Sequence, residues 1–350
     1  MKFNKYSLAK ISLLLCSSVF MLFVIEFYLS AFICPKYNDR KFFIKTKGGM
    51  GDCYTSDCKE HFPLVLNEPL SNRQLYCVFY DFERRKAGYS PGRKEQAALV
   101  GDSFVFGEGV KEEDTLGYLL NIEYPQTNFR NFGVMGKDID GIYETVLQLI
   151  KEEKGIKDII YFYNLNDVLM TDEIASSQKG VFNLQVVRWR MLKQKYPGVN
   201  NLLANTGIFR LLKMGFVLHS ESQKTIRNYF AMYFGSSNRQ RLDETYNFLV
   251  EMNSLAKNNG VNFQVVIYPL LYKDIFGRYP FIPIHNLIKR MCQRNNISCI
   301  DAYPALEKYY SFKKFIVHPI DHHPNGLANA TIVKYLVESD KFKLKGDNRW

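Results

Sequence analysis

Apolar and polar positions along this chain alternate with two different periods. Ala97-Ala98-Leu99-Val100 is a short continuous apolar run, the pattern of a strand buried on both faces. Asn128 to Phe132 reads as a second strand and Asp158 to Tyr163 as a third. Between these two, Ile139, Ile142, Tyr143, Val146, Leu147 and Ile150 recur at helical spacing. Leu242, Tyr246, Leu249 and Leu255 mark another helix, closed by Asn259-Gly260 as a C-cap. A fourth strand over Phe263 to Tyr268 stops at Pro269, and a helix near 283–294 leads to a fifth over Ile297 to Ile300. A helix from Gly326 to about Val337 closes the series. Such alternation predicts an α/β domain over 95–340, with a central, mostly parallel sheet covered by helices on both faces.

Three regions depart from this rhythm. Ile11 to Ile33 is almost wholly apolar, follows Lys2, Lys5 and Lys10, and is interrupted by Glu26 near its far end. The run is long enough to cross a hydrocarbon core as a transmembrane helix, so 1–33 reads as a membrane anchor. A cleaved signal segment is the alternative, although the run is long for one and no small-x-small site follows it cleanly. Lys36, Arg40, Lys41, Lys45 and Lys47 make the far flank basic too, so charge does not set the orientation. Residues 34–94 are rich in charge, Gly, Cys and Tyr without periodicity, a linker and irregular lead-in. Residues 170–238 interleave bases such as Arg188, Arg190, Lys193 and Lys195 with apolar residues such as Ile208, Phe209 and Leu211. This insertion is either helical packing over the sheet or a basic, apolar cap on a membrane or a substrate groove.

At 350 residues with 47% hydrophobic content, the chain can bury a sizeable core. A net charge of +11 suits an anionic partner, but the bases are spread along the chain with no zinc-finger spacing or ribonucleoprotein-type aromatic motif. Nucleic acid is therefore not expected, and an anionic membrane face fits better. Seven cysteines do not define a disulfide framework in a chain of this length. Cys53 with Cys58, or Cys292 with Cys299, would pair if the domain is exported; buried free thiols are the other reading, and the spacings fit no common zinc site.

Two short segments carry candidate chemistry. Gly101-Asp102-Ser103-Phe104 puts a serine directly after the first apolar run. Asp321-His322-His323-Pro324-Asn325 puts a histidine two residues after an aspartate, just before the last helix. A serine hydroxyl is a poor nucleophile at neutral pH and needs an imidazole base and a group to orient that base. A metal reading of His318, Asp321, His322 and His323 has ligand chemistry in its favour but no convincing partner set elsewhere.

Four separated blocks, in order, resemble the SGNH (GDSL-type) hydrolase superfamily. They are Gly101-Asp102-Ser103-Phe104 with the trailing Gly107-Glu108-Gly109-Val110, then Asn131-Phe132-Gly133-Val134-Met135-Gly136, then Asn164-Leu165-Asn166-Asp167, and finally Asp321-His322-His323-Pro324-Asn325. The resemblance covers 95–338 and implies a flavodoxin-like three-layer sandwich. It implies Ser103 as nucleophile, His323 as general base and Asp321 as its orienting partner. The oxyanion donors it implies are the backbone N–H groups of Ser103 and Gly136 and the side-chain amide of Asn166. Asn164 replaces the usual glycine of the third block and would narrow the groove. Asp102, Asp167 and Asp301 read as structural, and His322, one residue off the family spacing, would point elsewhere.

The function expected on this basis is a membrane-anchored serine esterase, with its catalytic domain outside the cytoplasm and no metal or organic cofactor. Its substrate would be an acyl ester, either an O-acetyl group on a glycan or a lipid ester. An O-acyltransferase acting on an envelope polysaccharide uses the same triad and stays open. So does a non-catalytic glycan-binding assembly module, which retention of all five site residues together argues against.

Overall fold

A short run of apolar residues is stable as a strand with two buried faces only where helices cover both sides. In the computed structural model, residues 95–345 are described except 109, 111, 154, 172–225, 275–276 and 319–320. Residues 13–14 and 16–25 are also described, with the backbone alone of 51–55, 75–79, 313, 318 and 321. The chain forms two compact units, one of Met1–Phe42, Thr55–Leu75 and Val181–Ser220, the other of Phe43–Tyr54, Tyr76–Gly180 and Glu221–Trp350. The second carries the sheet described below.

Within the expected irregular lead-in, β1 (Gly51–Thr55) and β2 (Leu75–Phe79) pair as a small two-stranded sheet. The main sheet contains β3 (Glu95–Gly101), β4 (Thr127–Asn131), β5 (Ile156–Tyr163), β6 (Asn262–Ile267) and β7 (Ser298–Asp301). Its order is β4-β3-β5-β6-β7 and every pair is parallel. All five expected strands are present, with ends shifted by one or two residues. A hairpin not expected from the sequence, β8 (Ile316–His318) with β9 (Asp321–Pro324), lies just before the last helix.

The helices are α1 (16–25), α2 (Ser103–Phe106), α3 (Leu116–Glu123), α4 (Ile139–Glu152) and α5 (226–234), followed by α6 (Arg239–Asn258), α7 (Ile282–Arg294), α8 (Pro304–Glu307) and α9 (Gly326–Val337). The step from β3 through α3 to β4 runs one way across the sheet, and the step through α4 to β5 runs back. Right-handed crossovers therefore place α3 and α4 on opposite faces. Contacts agree: α4 packs on α6, and α3 packs on α9. Ala97, Ala98, Leu99 and Val100 are each fully buried between these layers.

The helix α3 escaped the sequence pattern for a definite reason. Its buried face includes the polar Asn121, while the apolar Ile122 is 60% exposed. The Asn121 amide donates to Phe129 O at 3.0 Å and accepts from Phe129 N at 2.9 Å, pairing with the outer strand β4 as a neighbouring strand would. Buried tyrosines on β5 are likewise satisfied. The Tyr161 hydroxyl donates to Asp167 Oδ2 at 2.8 Å, and Tyr163 meets Tyr233 at 2.8 Å, whose hydroxyl donates in turn to Leu165 O.

Several expectations fall differently. No helix among the described residues is long and apolar enough to cross a membrane. Of the expected span 11–33, only 13–14 and 16–25 are described, and they are helical. Most of the 170–238 insertion lies outside the described residues, as do the side chains of Cys53, Cys58 and Cys77. Cys292 and Cys299 are free thiols, so the disulfide considered for them is absent. The Cys299 thiol hydrogen-bonds Cys292, and this contact together with burial raises its pKa.

At the N-terminal edge of the sheet the C-terminal segment is tied down by polar groups. Lys345 N donates to both oxygens of Asp158 at 3.0 and 3.2 Å, and Asn262 Nδ2 donates to Asp158 Oδ1 at 2.7 Å. Burial nevertheless pushes the Asp158 carboxyl up to about 6, with those hydrogen bonds opposing it. A carboxyl that holds its proton more tightly when folded favours the fold most at low pH, and that contribution is lost as pH rises from about 4 to about 6. Asp158→Asn should remove this loss, making the variant more stable than wild type at pH 7 by on the order of 3 kcal/mol relative to their difference at pH 4. Urea unfolding at both pH values measures it, and parallel pH dependence in the two proteins would rule it out.

Candidate active site

The strand order reverses between β3 and β5, and ligands in open α/β sheets bind at the C-terminal edge of such a reversal. Ser103 stands there, 8% exposed, at the start of α2 immediately after β3. Asp102 caps α2, its Oδ1 accepting from Phe104 N at 2.9 Å. The loop after β4 closes tightly on this turn: Asn131 Nδ2 donates to Val105 O at 2.7 Å, and Val134 N donates to Gly101 O at 2.9 Å. At Gly133 a Cβ would stand 2.2 Å from Phe106 N, so only glycine lets the two backbones meet. Gly136 follows in an exposed turn at φ +68°.

The loop after β5 meets the same carboxylate. Asn164 Nδ2 and Asn166 Nδ2 donate to Asp102 Oδ2 at 3.0 and 3.2 Å. Burial raises the pKa of Asp102, against the Phe104 N–H, the nearby His323 and the amides of Asn166 and Asn164. Asp167 lies beneath, with Oδ2 accepting from Tyr161 and from Asn164 N at 3.1 Å. Burial, with the Asp102 carboxylate added, holds Asp167 well above the usual carboxylate range. Asn164 Oδ1, Asn166 Oδ1 and Asp167 Oδ1 are buried without hydrogen-bond partners among the described residues.

The imidazole comes from the other end of the chain. His323, on β9, places Nε2 2.8 Å from Ser103 Oγ. Its ring packs edge-on to Phe104 at 5.5 Å, and Phe104 packs edge-on to Tyr268 at 5.2 Å. Asn325 fixes the hairpin: its N–H donates to Phe315 O, its amide donates to Lys314 O and Ile316 O, and its Oδ1 caps α9. Asp321 begins the same strand, and its side chain, like that of His318, lies outside the described residues. His322 turns elsewhere, stacked on Tyr272 at 3.6 Å with Nδ1 donating to Leu271 O at 3.2 Å. Asp301 belongs to a separate relay. Its Oδ1 meets Nδ1 of the buried His285 at 2.8 Å, and His285 Nε2 meets the Tyr279 hydroxyl at 2.9 Å, which also accepts from Leu270 N. That relay anchors the loop after β6.

One residue at the site received no role from the sequence. Glu108 Oε2 lies 3.3 Å from His323 Nε2, with side-chain exposures of 10% for Glu108 and 24% for His323. The only signal was its place five residues after the serine.

No family model matches the chain, and no curated protein matches it. Solved structures do. A member of the lipolytic protein G-D-S-L family from Veillonella parvula is 14% identical over 70% of this chain and 98% of that one, with a TM-score of 0.42. The acetyl xylan esterase AlAXEase is 14% identical over 68% and 96%, with a TM-score of 0.40. A catalytic mutant of Axe2, an acetylxylan esterase from Geobacillus stearothermophilus, is 12% identical over 73% and 100%, with a TM-score of 0.39.

Asp102→Asn keeps the shape of the side chain but replaces one acceptor oxygen with a donor facing other donors. It should lower stability by roughly 2 kcal/mol in denaturant unfolding, because a buried donor is left unmatched. A midpoint unchanged from wild type would show that Asp102 does not hold the two loops.

Proposed function

We propose that the protein is a serine ester hydrolase of SGNH type, built as a flavodoxin-like three-layer sandwich. The observation that carries this reading is the 2.8 Å contact between Ser103 Oγ and His323 Nε2 at the reversal point of the sheet, with the Asn166 amide held nearby by Asp102. A neutral imidazole at that distance accepts the serine proton as Oγ bonds to the acyl carbon. The tetrahedral oxyanion is met by the N–H groups of Ser103 and Gly136 and by Asn166 Nδ2. That nitrogen carries two hydrogens and directs one to Asp102, which leaves the other for the substrate. Each such donor contributes roughly 3–4 kcal/mol to the transition state.

His323 then gives its proton to the leaving alcohol, whose C–O bond breaks to leave the acyl group on Ser103. Water attacks the acyl carbon, His323 takes the water's proton and returns it to Oγ, and the carboxylic acid departs. Asp321, two residues before His323, orients the imidazole and stabilises its charged form. The acyl ester is an O-acetyl group on a glycan or a lipid ester. The N-terminal segment anchors the chain in a membrane with this domain on the extracytoplasmic side. The exposed apolar side chains of its helical part, Phe20 at 67% and Phe23 at 70% among them, support that anchoring.

Fluorophosphonate labelling of the full chain in detergent tests the chemistry. Labelling should vanish in Ser103→Ala and slow by about a hundredfold or more in His323→Ala. Label that persists in a folded Ser103→Ala protein would end the serine mechanism. Asn166→Ala should cost about 100- to 1,000-fold in kcat on an acetyl ester, as loss of an oxyanion donor does.

A further inference from the structure

The cycle above gives Glu108 no task, yet the fold brings its carboxylate against the base. Gly107 ends α2 in the left-handed region at φ +84°, and the N–H groups of Gly107 and Glu108 both donate to Ser103 O at 3.0 Å. This turn folds the chain back over the helix that carries the nucleophile. Glu108 Oε2 then reaches His323 Nε2 at 3.3 Å, and Ser103 Oγ reaches the same nitrogen at 2.8 Å. A carboxylate held at 10% exposure loses much of its hydration, and it accepts hydrogen bonds without donating any when ionised.

Rested on the esterase reading, this placement has a consequence for the substrate. Nε2 must hand its proton to the leaving alcohol, so that oxygen has to arrive within hydrogen-bond reach of Nε2. Glu108 Oε2 already lies close to that reach. The leaving oxygen and the carboxylate are therefore neighbours around one ring nitrogen. A simple alkyl alcohol presents carbon to the carboxylate. An alcohol with a hydroxyl on the adjoining carbon presents a donor, and an anionic substituent there meets like charge.

We propose that Glu108 forms the subsite for the alcohol half of the ester and selects a neutral polyol that bears a second hydroxyl beside the esterified oxygen. Sugar rings and glycerol share that chemistry. The carboxylate accepts the second hydroxyl's hydrogen bond while His323 protonates the leaving oxygen, so the contact orients the alcohol for proton transfer. Glu108 is a specificity-determining residue in this scheme, and the acyl half does not touch it.

The test compares three acetyl esters with wild type, Glu108→Gln and Glu108→Ala: a methyl xyloside monoacetate, glycerol monoacetate, and propyl acetate, which has the same carbon chain as glycerol without the extra hydroxyls. The readout is the ratio of kcat/KM for each polyol ester to that for propyl acetate. Wild type should favour at least one polyol ester, and which one identifies the alcohol as sugar or glycerol. In Glu108→Ala that ratio should fall about 10- to 100-fold, the effect of losing a hydrogen bond to a charged group, and Glu108→Gln should fall between the two because its amide oxygen still accepts. An equal loss on all three esters would show a structural role and overturn the subsite. A wild-type enzyme that cleaves propyl acetate with no polyol preference also overturns it while leaving the serine mechanism standing. A wild-type protein that neither labels with fluorophosphonate nor cleaves any ester removes both.

Discussion

The arrangement of this site depends on one buried carboxylate. Asp102 is 1% exposed and accepts three hydrogen bonds, from Phe104 N on its own helix and from the amides of Asn164 and Asn166 on another loop. A charge removed from water is tolerated only where such donors surround it. Because these donors come from the ends of two different strands, satisfying the carboxylate fixes the serine and the asparagine amide relative to each other. Asp167, pushed toward its neutral form by burial and by Asp102, supports the same loop from below.

Above this anchor, the sheet supplies the place and a hairpin supplies the imidazole. The reversal of strand order brings the ends of β3 and β5 side by side, which no single strand could do. The histidine belongs to none of the sheet strands. It arrives on β9, held by the Asn325 side chain and by the packing of Phe104 between Tyr268 and the imidazole.

Three histidines show how far context outranks residue type. His285 is fully buried in a relay with Asp301 and Tyr279 that has the composition of a catalytic dyad with a hydroxyl, yet its hydroxyl is a tyrosine that receives a backbone N–H. His322 stacks on Tyr272 and bonds a carbonyl. Only His323, its immediate neighbour, meets a serine, because adjacent strand residues face opposite sides.

The sequence by itself determined the five strands, because residues buried on both faces of a parallel sheet leave unbroken apolar runs. It also singled out Ser103, His323 and Asn166 as residues whose chemistry belongs together, through blocks whose spacing survives in the primary structure. It did not show α3, whose buried Asn121 and exposed Ile122 invert the usual pattern, nor the β8–β9 hairpin, whose strands are too short to leave a period. Only the tertiary structure decided that Asn164 and Asn166 share one acceptor, and that Glu108 stands against His323. Those contacts join segments far apart in the chain through a glycine turn and a reversed strand order, and local sequence carries no record of which distant partner a side chain will meet.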